Sequence, residues 1–232
     1  WNHPEQWHTV PGLCYLTPYK EYKDNGIARV LNFAGLVPPE QSRFFNWSKP
    51  FVQLETTRGC FNTCAFCVSG GEKPVRTLSI ESIRRRLQLI HAHGIKNVRV
   101  LDRTFNYNPR RAKELLRLFL EFHPDIRFHL EIHPALLSEE LKEELSLLPK
   151  GLLHLEAGIQ SLREPVLEKS RRMGKLSDAL DGLRFLCALP NMETHADLIA
   201  GLPLYHLHEI FEDVRTLAGY AEGEIPLESL KL

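Results

Sequence analysis

Short apolar runs alternate with longer amphipathic segments from about residue 50 onward, and this alternation restricts the fold more than any other feature. It is typical of parallel strands joined by helices, because a parallel connection needs room for a crossover helix. Six runs are predicted to be strands: 51–56, 96–102, 126–132, 152–159, 193–199 and 226–232. Because such crossovers are right-handed, successive units curl in one direction. The sequence therefore predicts an α/β fold, a partial or closed βα barrel.

Five helices are predicted between these strands. The first begins at Ser79, whose oxygen can accept a hydrogen bond from the first turn, and the second begins at Pro109, which is tolerated at that position. Ser138 precedes the third helix, and the last two cover residues 176–189 and 206–217. Apolar side chains recur at helical spacing in these segments, as they do on helices that pack against a sheet.

Residues 1–50 lack this periodicity and are rich in proline. We interpret them as an N-terminal leader or linker that wraps the barrel or precedes it, and residues 51–232 as the barrel core. The chain does not begin with methionine, and it ends within an apolar-alternating run. We therefore expect an excised part of a longer protein.

The 232 residues carry no net charge, and 43% of them are hydrophobic. There is thus no overall electrostatic attraction to nucleic acid or to an anionic membrane. No apolar run approaches the roughly 20 residues of a membrane span, and the first residues do not resemble a signal peptide. We expect a cytoplasmic protein without a membrane or nucleic-acid partner, and the oligomeric state is left open.

Three of the five cysteines, Cys60, Cys64 and Cys67, lie in a C-x3-C-x2-C pattern directly after the first predicted strand. Loops in this position form the active-site face of βα barrels. An odd number of unevenly spaced cysteines argues against a disulfide framework and favours metal or redox chemistry in a reducing compartment. The other two, Cys14 and Cys187, are solitary.

The number of cysteines in this pattern limits which metal site it can form. A structural zinc site needs four ligands, usually as two separated pairs, and the sequence has no second pair of cysteines. Three thiolates instead suit a [4Fe-4S] cluster whose fourth iron is open to a substrate or cofactor. The alternative is that the cysteines pack as small apolar side chains, but neighbours such as Gly59, Asn62 and Gly70 are typical of a loop.

The pattern CxxxCxFC at residues 60–67 resembles the signature of the radical S-adenosylmethionine (radical SAM) enzymes. Residues 155–161 (LEAGIQS) and 195–203 (HADLIAGLP) are similar to the fourth-strand and fifth-strand motifs of this family. The three matches follow the family's order and lie within residues 50–232. The resemblance implies a partial (β/α)6 TIM-like barrel that binds a [4Fe-4S] cluster through the three cysteines.

The resemblance also implies the chemistry. S-adenosylmethionine would bind the open iron through its amino and carboxylate groups, and an electron from the cluster would cleave its sulfonium. The resulting 5′-deoxyadenosyl radical would abstract hydrogen from a substrate. The electron implies a flavodoxin-like or ferredoxin-like donor, and the substrate is not identifiable from the sequence.

The family motifs suggest residues that contact the cofactor. Phe66, which precedes the third cysteine, is expected beside the adenine. The fifth-strand motif contributes Ile199, Gly201 and Leu202 to an apolar wall against the adenine, and Asp197 of the same motif is also expected to contact the cofactor.

Alternation along the fourth strand places Glu156 in the barrel lumen, where a carboxylate needs hydrogen-bond donors. Ribose hydroxyls, or an ion pair with a histidine of a neighbouring strand, would satisfy it. Gln160 and Ser161, at the end of this strand, are expected to reach the cofactor. Arg171 or Arg172 resembles the family's arginine that meets the methionine carboxylate, and Arg172 is included in the predicted site.

One departure from the family pattern concerns the methionine amine. The family's Gly-Gly-Glu segment ends strand two, whereas residues 70–72 (GGE) lie elsewhere and strand two ends in residues 101–105 (LDRTF). That ending resembles the cobalamin-binding subgroup, which implies Asp102 or Thr104 as the amine-binding residue. It also suggests cobalamin bound by an upstream domain absent from this chain, and whether cobalamin is used is left open.

Two other functions are considered. His129, Glu131 and His133 share a face of the third strand and are ligands found in mononuclear metal hydrolases or oxygenases. Three consecutive same-face residues span about 13 Å, which is too far for one ion. The second alternative is a non-catalytic scaffold that keeps the cluster but does not bind S-adenosylmethionine.

Overall fold

The computed structural model describes residues 3–28, 32, 35–220 and 224–231. The chain forms two compact units, Trp1–Leu36 and Val37–Leu232. The smaller unit contains a 3-10 helix, Pro4–Thr9, and an antiparallel pair of strands, Cys14–Leu16 and Tyr22–Asp24. The interpretation of residues 1–50 as a leader or linker stays a prediction. Parts of that segment, and Leu232 of the last predicted strand, lie outside the described residues.

One six-stranded sheet forms the centre of the larger unit. All its strands are parallel and lie side by side in sequence order. They are β1 Val52–Leu54, β2 Asn97–Val100, β3 Arg127–Ile132, β4 Leu153–Gln160, β5 Glu193–Ala200 and β6 Leu227–Ser229. Each matches one of the six predicted runs to within a few residues. The predicted (β/α)6 partial barrel is confirmed.

In the part of the chain that the structure describes, six α-helices accompany the sheet: α1 Ile80–Ala92, α2 Pro109–Leu120, α3 Glu139–Ser146, α4 Glu164–Lys169, α5 Leu176–Cys187 and α6 Leu207–Ala218. The predicted starts of the first three helices are confirmed. Ser79 Oγ accepts a hydrogen bond from Ser82 N at 3.1 Å, and Ser138 Oγ accepts one from Leu141 N at 3.3 Å. Helix α4 was not predicted, because six residues are too few to show a periodic apolar stripe.

The two faces of the sheet differ in chemistry. Along β3 and β4 every second side chain is fully buried and apolar, as in Phe128, Leu130 and Leu155. These residues face the helices, where the ring of Phe119 stacks on the ring of Phe128 at a centroid distance of 4.0 Å. The intervening side chains are polar and half-buried, and they face the barrel lumen.

A buried carboxylate joins the ends of β1 and β2. Asp102 is 1% exposed, and its Oδ1 accepts hydrogen bonds from Thr56 N and Thr57 N, both at 2.8 Å. Its Oδ2 accepts a hydrogen bond from the Thr56 hydroxyl. Because three donors converge on one carboxylate, Asp102 holds the chain where it leaves β1.

We expect Asp102→Ala to lower the free energy of unfolding by about 3 kcal/mol, because three buried donors lose their acceptor. Asp102→Asn keeps an acceptor for both backbone donors, so this substitution should lower the free energy of unfolding by clearly less. Urea unfolding at neutral pH measures both. The exposed Asp125 gives a matched control, since Asp125→Ala should cost less than about 1 kcal/mol. Equal losses for Asp102→Ala and Asp125→Ala would show that Asp102 does not hold the strand ends together.

Candidate active site at the cysteine loop

The three clustered cysteines lie on a loop that begins after β1 and is closed at its base by a short antiparallel ribbon. The ribbon pairs Thr57–Arg58 with Arg76–Thr77. Within the loop, Cys60 N donates to Glu72 O at 3.0 Å, and Gly70 N donates to Cys67 O at 2.9 Å. The loop is therefore folded back on itself by its own backbone.

Glycine is required at two points of this loop. Gly59 has a φ of +96°, and a Cβ there would lie 2.4 Å from Glu72 O. A Cβ on Gly70 would lie 2.6 Å from Cys64 O and 3.0 Å from Cys67 O. Backbone carbonyls cannot move aside as a side chain can, so these glycines permit the close packing that brings the cysteines together.

The loop faces a cavity of about 160 Å³ at the mouth of the barrel. Most of the predicted site residues line this cavity: Cys60, Cys64, Phe66, Cys67, Thr104, Glu156, Gln160, Arg172 and Asp197. It is also lined by Asn62, Gly70, Arg103, Glu131 and Gly158. Residues from the cysteine loop and from four strands or strand ends thus converge on one space.

Five predicted site residues do not line the cavity. Asp102 is occupied by the threonines at the end of β1, so of the two candidates for the methionine amine only Thr104 faces the cavity. Ser161 is fully buried, and its hydroxyl donates to Asp213 Oδ2 at 3.4 Å and accepts from Arg163 N at 3.1 Å. Ser161 therefore orders the turn after β4 and does not reach the cavity.

The other three, Ile199, Gly201 and Leu202, lie at the end of β5. Leu202 belongs to a small apolar cluster with Val166, Tyr205 and Ile210, and against this cluster pack Phe66, Ile199, Ala200 and Leu230. Phe66 belongs both to the cavity and to this cluster. An apolar surface therefore borders the cavity on the side of β5, where the sequence predicted one.

The structure distinguishes between the two arginines that follow α4. Arg171 is exposed, whereas Arg172 lines the cavity. Arg172 Nη2 donates to Gly158 O at 2.7 Å, and its Nη1 lies 3.9 Å from Cys64 Sγ. Burial raises the pKa of the Cys64 thiol, and the charge of Arg172 opposes that rise. Arg172 is thus the arginine that connects β4 to the cysteine loop.

The lumen below the cavity holds two layers of polar side chains. Strand register places Glu131, Glu156 and His195 side by side. The layer nearer the start of the strands contains His129 and His154, which are also paired in register. His129 Nε2 lies 2.8 Å from Glu156 Oε2. The ion pair expected as one role of Glu156 is therefore present, and its contact with a ribose stays a prediction.

Three carboxyl groups share this space, and their pKa values differ. Hydrogen bonds from His129 and then His195 lower the pKa of Glu156 well below its usual range. Burial and the charge of Glu156 raise the pKa of Glu131 to about 7. Burial and a hydrogen bond with Glu156 raise the pKa of Asp197 to about 9. Glu156 therefore carries the negative charge, and its neighbours resist ionisation.

The alternative metal trio on β3 is not brought together. Among the described residues, the histidine, cysteine and acidic groups that could hold one ion are His129, Glu156 and His195. His133 lies 3% exposed beneath Gly174, and a Cβ on Gly174 would be 3.3 Å from His133 Cε1. The alternative trio His129, Glu131 and His133 is thus not brought together, as its spacing along the strand predicted, because His133 packs against Gly174.

Five cavity residues were not predicted as cofactor-binding residues, and two of them, Asn62 and Arg103, connect separate parts of the site. Asn62 Oδ1 accepts from Thr63 N at 2.9 Å and from Met173 N at 3.4 Å, so it joins the cysteine loop to the segment after α4. The position of Asn62 in the sequence, between Cys60 and Cys64, could have indicated that it belongs to the site. Arg103 Nη1 lies 3.9 Å from Glu131 Oε1, a contact across strands that no spacing within one strand indicates.

The number of thiols bears on which metal group would fit. Cys60, Cys64 and Cys67 are the three cysteines that line the cavity. A structural zinc site needs four protein ligands, whereas three thiolates can each bind a different iron of a [4Fe-4S] cluster and leave the fourth iron open. The donor set therefore fits a cluster.

A family comparison agrees with this donor set. The sequence model of the radical SAM superfamily matches residues 54–217, which is more than half of the chain. This chain belongs to the radical SAM superfamily. Members of the superfamily are enzymes that use a [4Fe-4S] cluster and S-adenosylmethionine.

Curated relatives are similar to this chain over most of its length. The ribosomal protein uS12 methylthiotransferase RimO of Moorella thermoacetica is 28% identical over 190 residues, covering 75% of this chain and 43% of that protein. The tRNA-2-methylthio-N(6)-dimethylallyladenosine synthase of Herpetosiphon aurantiacus is 28% identical over 189 residues, which cover 74% of this chain and 41% of that protein. This radical SAM chain thus spans less than half the length of these relatives.

Solved structures share the fold. The radical SAM methyltransferase TsrM of Kitasatospora setae, with cobalamin and a [4Fe-4S] cluster bound, has a TM-score of 0.66 at 20% identity, covering 78% of this chain and 37% of that one. The cobalamin-dependent S-adenosylmethionine radical enzyme OxsB has a TM-score of 0.64 at 21% identity, and the match covers 89% of this chain and 32% of that one.

Among the described residues of this chain, no helix is long and apolar enough to span a membrane.

The buried imidazole of His133 should make stability depend on pH. Neither of its ring nitrogens has a hydrogen-bond partner among the described residues, and burial with the charge of Arg172 lowers the pKa of His133 to about 3. An unfolded histidine titrates near 6.5, so the unfolded state binds the proton first as pH falls. Stability is therefore retained above about pH 6.5 and lost toward pH 3.

We expect His133→Phe to reduce this loss by up to about 1.4 kcal/mol per pH unit below pH 6, because one titrating group is removed. Urea unfolding of wild type and variant at several pH values between 7 and 4.5 measures the difference. The exposed His93 provides the control, since His93→Phe should keep the wild-type slope. Identical slopes for wild type and His133→Phe would contradict a neutral buried His133.

Proposed function

We propose that this chain is the core of a radical SAM enzyme in which Cys60, Cys64 and Cys67 hold a [4Fe-4S] cluster and S-adenosylmethionine binds beside it. When bound, these groups supply one-electron cleavage of the sulfonium and hydrogen abstraction from a substrate. The observation that carries the proposal is the cysteine loop. It presents three thiols to a cavity that the half-buried Arg172 also lines.

We propose roles for the cavity residues from where they lie. The Arg172 guanidinium, fixed by Gly158 O, would pair with the methionine carboxylate, because a planar fork suits a carboxylate. Thr104 would accept from the methionine amine, since it lines the cavity and Asp102 does not. Phe66 and the apolar cluster behind it would cover the adenine and exclude water from that side.

The similar proteins bear on the substrate and on the use of cobalamin. The relatives named as methylthiotransferases modify a ribosomal protein or a tRNA base, and TsrM and OxsB are cobalamin enzymes. We infer that this chain supports hydrogen abstraction from a substrate and that cobalamin, if used, binds to a part of the protein outside residues 54–217. A flavodoxin-like or ferredoxin-like protein would deliver the electron.

Changing any one of Cys60, Cys64 or Cys67 to Ala should abolish the cluster, because each thiolate binds a separate iron. We expect about four irons and four sulfides per wild-type chain after anaerobic reconstitution, and far less in these variants. Cys14→Ala and Cys187→Ala are the matched controls and should keep the wild-type content. Iron and acid-labile sulfide assays measure both.

The same preparations test the reaction. After reduction with dithionite, wild type should release methionine and 5′-deoxyadenosine from S-adenosylmethionine slowly, and the three cysteine variants should release neither. If the wild-type protein instead contained about one zinc ion per chain and no sulfide, the cluster assignment would be contradicted. A full cluster that never supports cleavage, even in the full-length protein, would favour the non-catalytic scaffold.

Arg172→Gln should weaken binding of S-adenosylmethionine by about 1–3 kcal/mol, the range for losing a charge-assisted hydrogen bond. Calorimetry on cluster-loaded protein measures the change, with iron content checked in parallel. The adjacent Arg171 provides the control, because it is exposed and Arg171→Gln should leave affinity unchanged. Equal effects of the two substitutions would withdraw the carboxylate role of Arg172.

A further inference from the structure

A second group of ligand-type side chains lies in the lumen, apart from the cysteine loop. His129, His154, Glu156 and His195, here called the histidine–glutamate cluster, come from strands β3, β4 and β5. Glu156 lies two residues before Gly158, whose carbonyl contacts Arg172. At strand rise this places the histidine–glutamate cluster about 7 Å deeper in the barrel than that contact.

We propose that His129, Glu156 and His195 bind one divalent transition-metal ion, such as Zn²⁺ or Fe²⁺, at a site separate from the cysteine loop. The proposal goes beyond the proposed function, because it uses none of the cysteines and, of the residues expected to contact S-adenosylmethionine, only Glu156, for which metal binding would replace the contact with the ribose.

The first support is geometric. Both histidines approach the same carboxylate oxygen: His129 Nε2 lies 2.8 Å from Glu156 Oε2, and His195 Nε2 lies 3.8 Å from it. The three ligand atoms all lie within 4.8 Å of one another. Ligands about 2.0–2.2 Å from one ion are about 3–3.5 Å apart, so shifts of roughly 1 Å or less would complete the site.

The second support is the orientation of His195. Its Nδ1 lies 2.8 Å from His154 Nε2, and its Nε2 lies 3.6 Å from Asp197 Oδ1 and 3.8 Å from Glu156 Oε2. Histidines that bind metals usually use one ring nitrogen for the ion and the other for a hydrogen bond that fixes the ring. The contact between His195 Nδ1 and His154 Nε2 is of this kind.

The third support is the charge balance. Glu131, Glu156 and Asp197 line one cavity together with Arg103 and Arg172, and Arg103 makes a long ion pair with Glu131, at 3.9 Å. Asp197 Oδ1 has no hydrogen-bond partner among the described residues, although His195 Nε2 lies 3.6 Å from it. A divalent cation bound to Glu156 would supply positive charge next to the other two carboxyl groups.

The ligand set also indicates the kind of metal. Two imidazoles and one carboxylate suit zinc or ferrous iron, whereas Mg²⁺ and Ca²⁺ prefer oxygen ligands alone. Three protein ligands leave at least one coordination position open. Because Glu156 lines the cavity, that position would face the space in which a substrate oxygen atom could bind.

Zinc uptake by cluster-loaded protein tests the site, because zinc is not a component of the iron–sulfur cluster. We expect about one Zn²⁺ per chain after titration and removal of loose metal on a desalting column. X-ray absorption at the zinc edge should show only nitrogen and oxygen neighbours, at about 2.0–2.1 Å. A zinc shell that contains sulfur at about 2.3 Å would place the ion at the cysteines and overturn the proposal.

Single substitutions identify the ligands. His129→Gln and His195→Gln should each weaken zinc binding at least tenfold while leaving iron and sulfide content unchanged. His91→Gln is the matched control, since His91 is an exposed histidine on α1 that contacts Asp125. Wild-type affinity in both lumen variants, or no zinc in wild type, would overturn the site. These outcomes leave the cluster assay unaffected, so failure here is distinguishable from failure of the radical SAM assignment.

Discussion

The alternation of side chains along the parallel strands is the constraint on which the rest of the structure depends. Every second residue of β3 and β4 is apolar and packs against helices, so the intervening residues must face the lumen. Most sheets of this kind would bury apolar side chains there too. Here the lumen holds histidines and carboxyl groups, and each of them is placed by strand register. The fold thus creates a polar interior directly below the cysteine loop.

The cysteine loop depends on that sheet for its position. Asp102 fixes the chain where it leaves β1, and the ribbon Thr57–Arg58 with Arg76–Thr77 closes the base of the loop. Arg172 then connects the loop to β4 through Gly158 O. These contacts come from separate parts of the chain, so three thiols reach one cavity only when the whole half-barrel is folded. Binding of the cluster would in turn stabilise that fold.

Much of this could be predicted from sequence, because strands and helices of this fold have strong periodicity. The six strands, five of the six helices and the position of the cysteine loop were predicted. The alternatives that the sequence left open depended on contacts between distant residues. Asp102 and Thr104 are two residues apart, and only the threonines at the end of β1 show that Asp102 is occupied. The partners of Glu156 likewise depend on the register of β3 and β5, which no pattern within β4 reveals.

The central claim is that three cysteines bind a cluster whose remaining iron is open to S-adenosylmethionine. Mössbauer spectroscopy of protein reconstituted with ⁵⁷Fe, with and without S-adenosylmethionine, tests it most directly. The account predicts that about one quarter of the iron absorption shifts when the cofactor is added, because one iron in the cluster lacks a thiolate. A spectrum that is unchanged by S-adenosylmethionine would contradict the account.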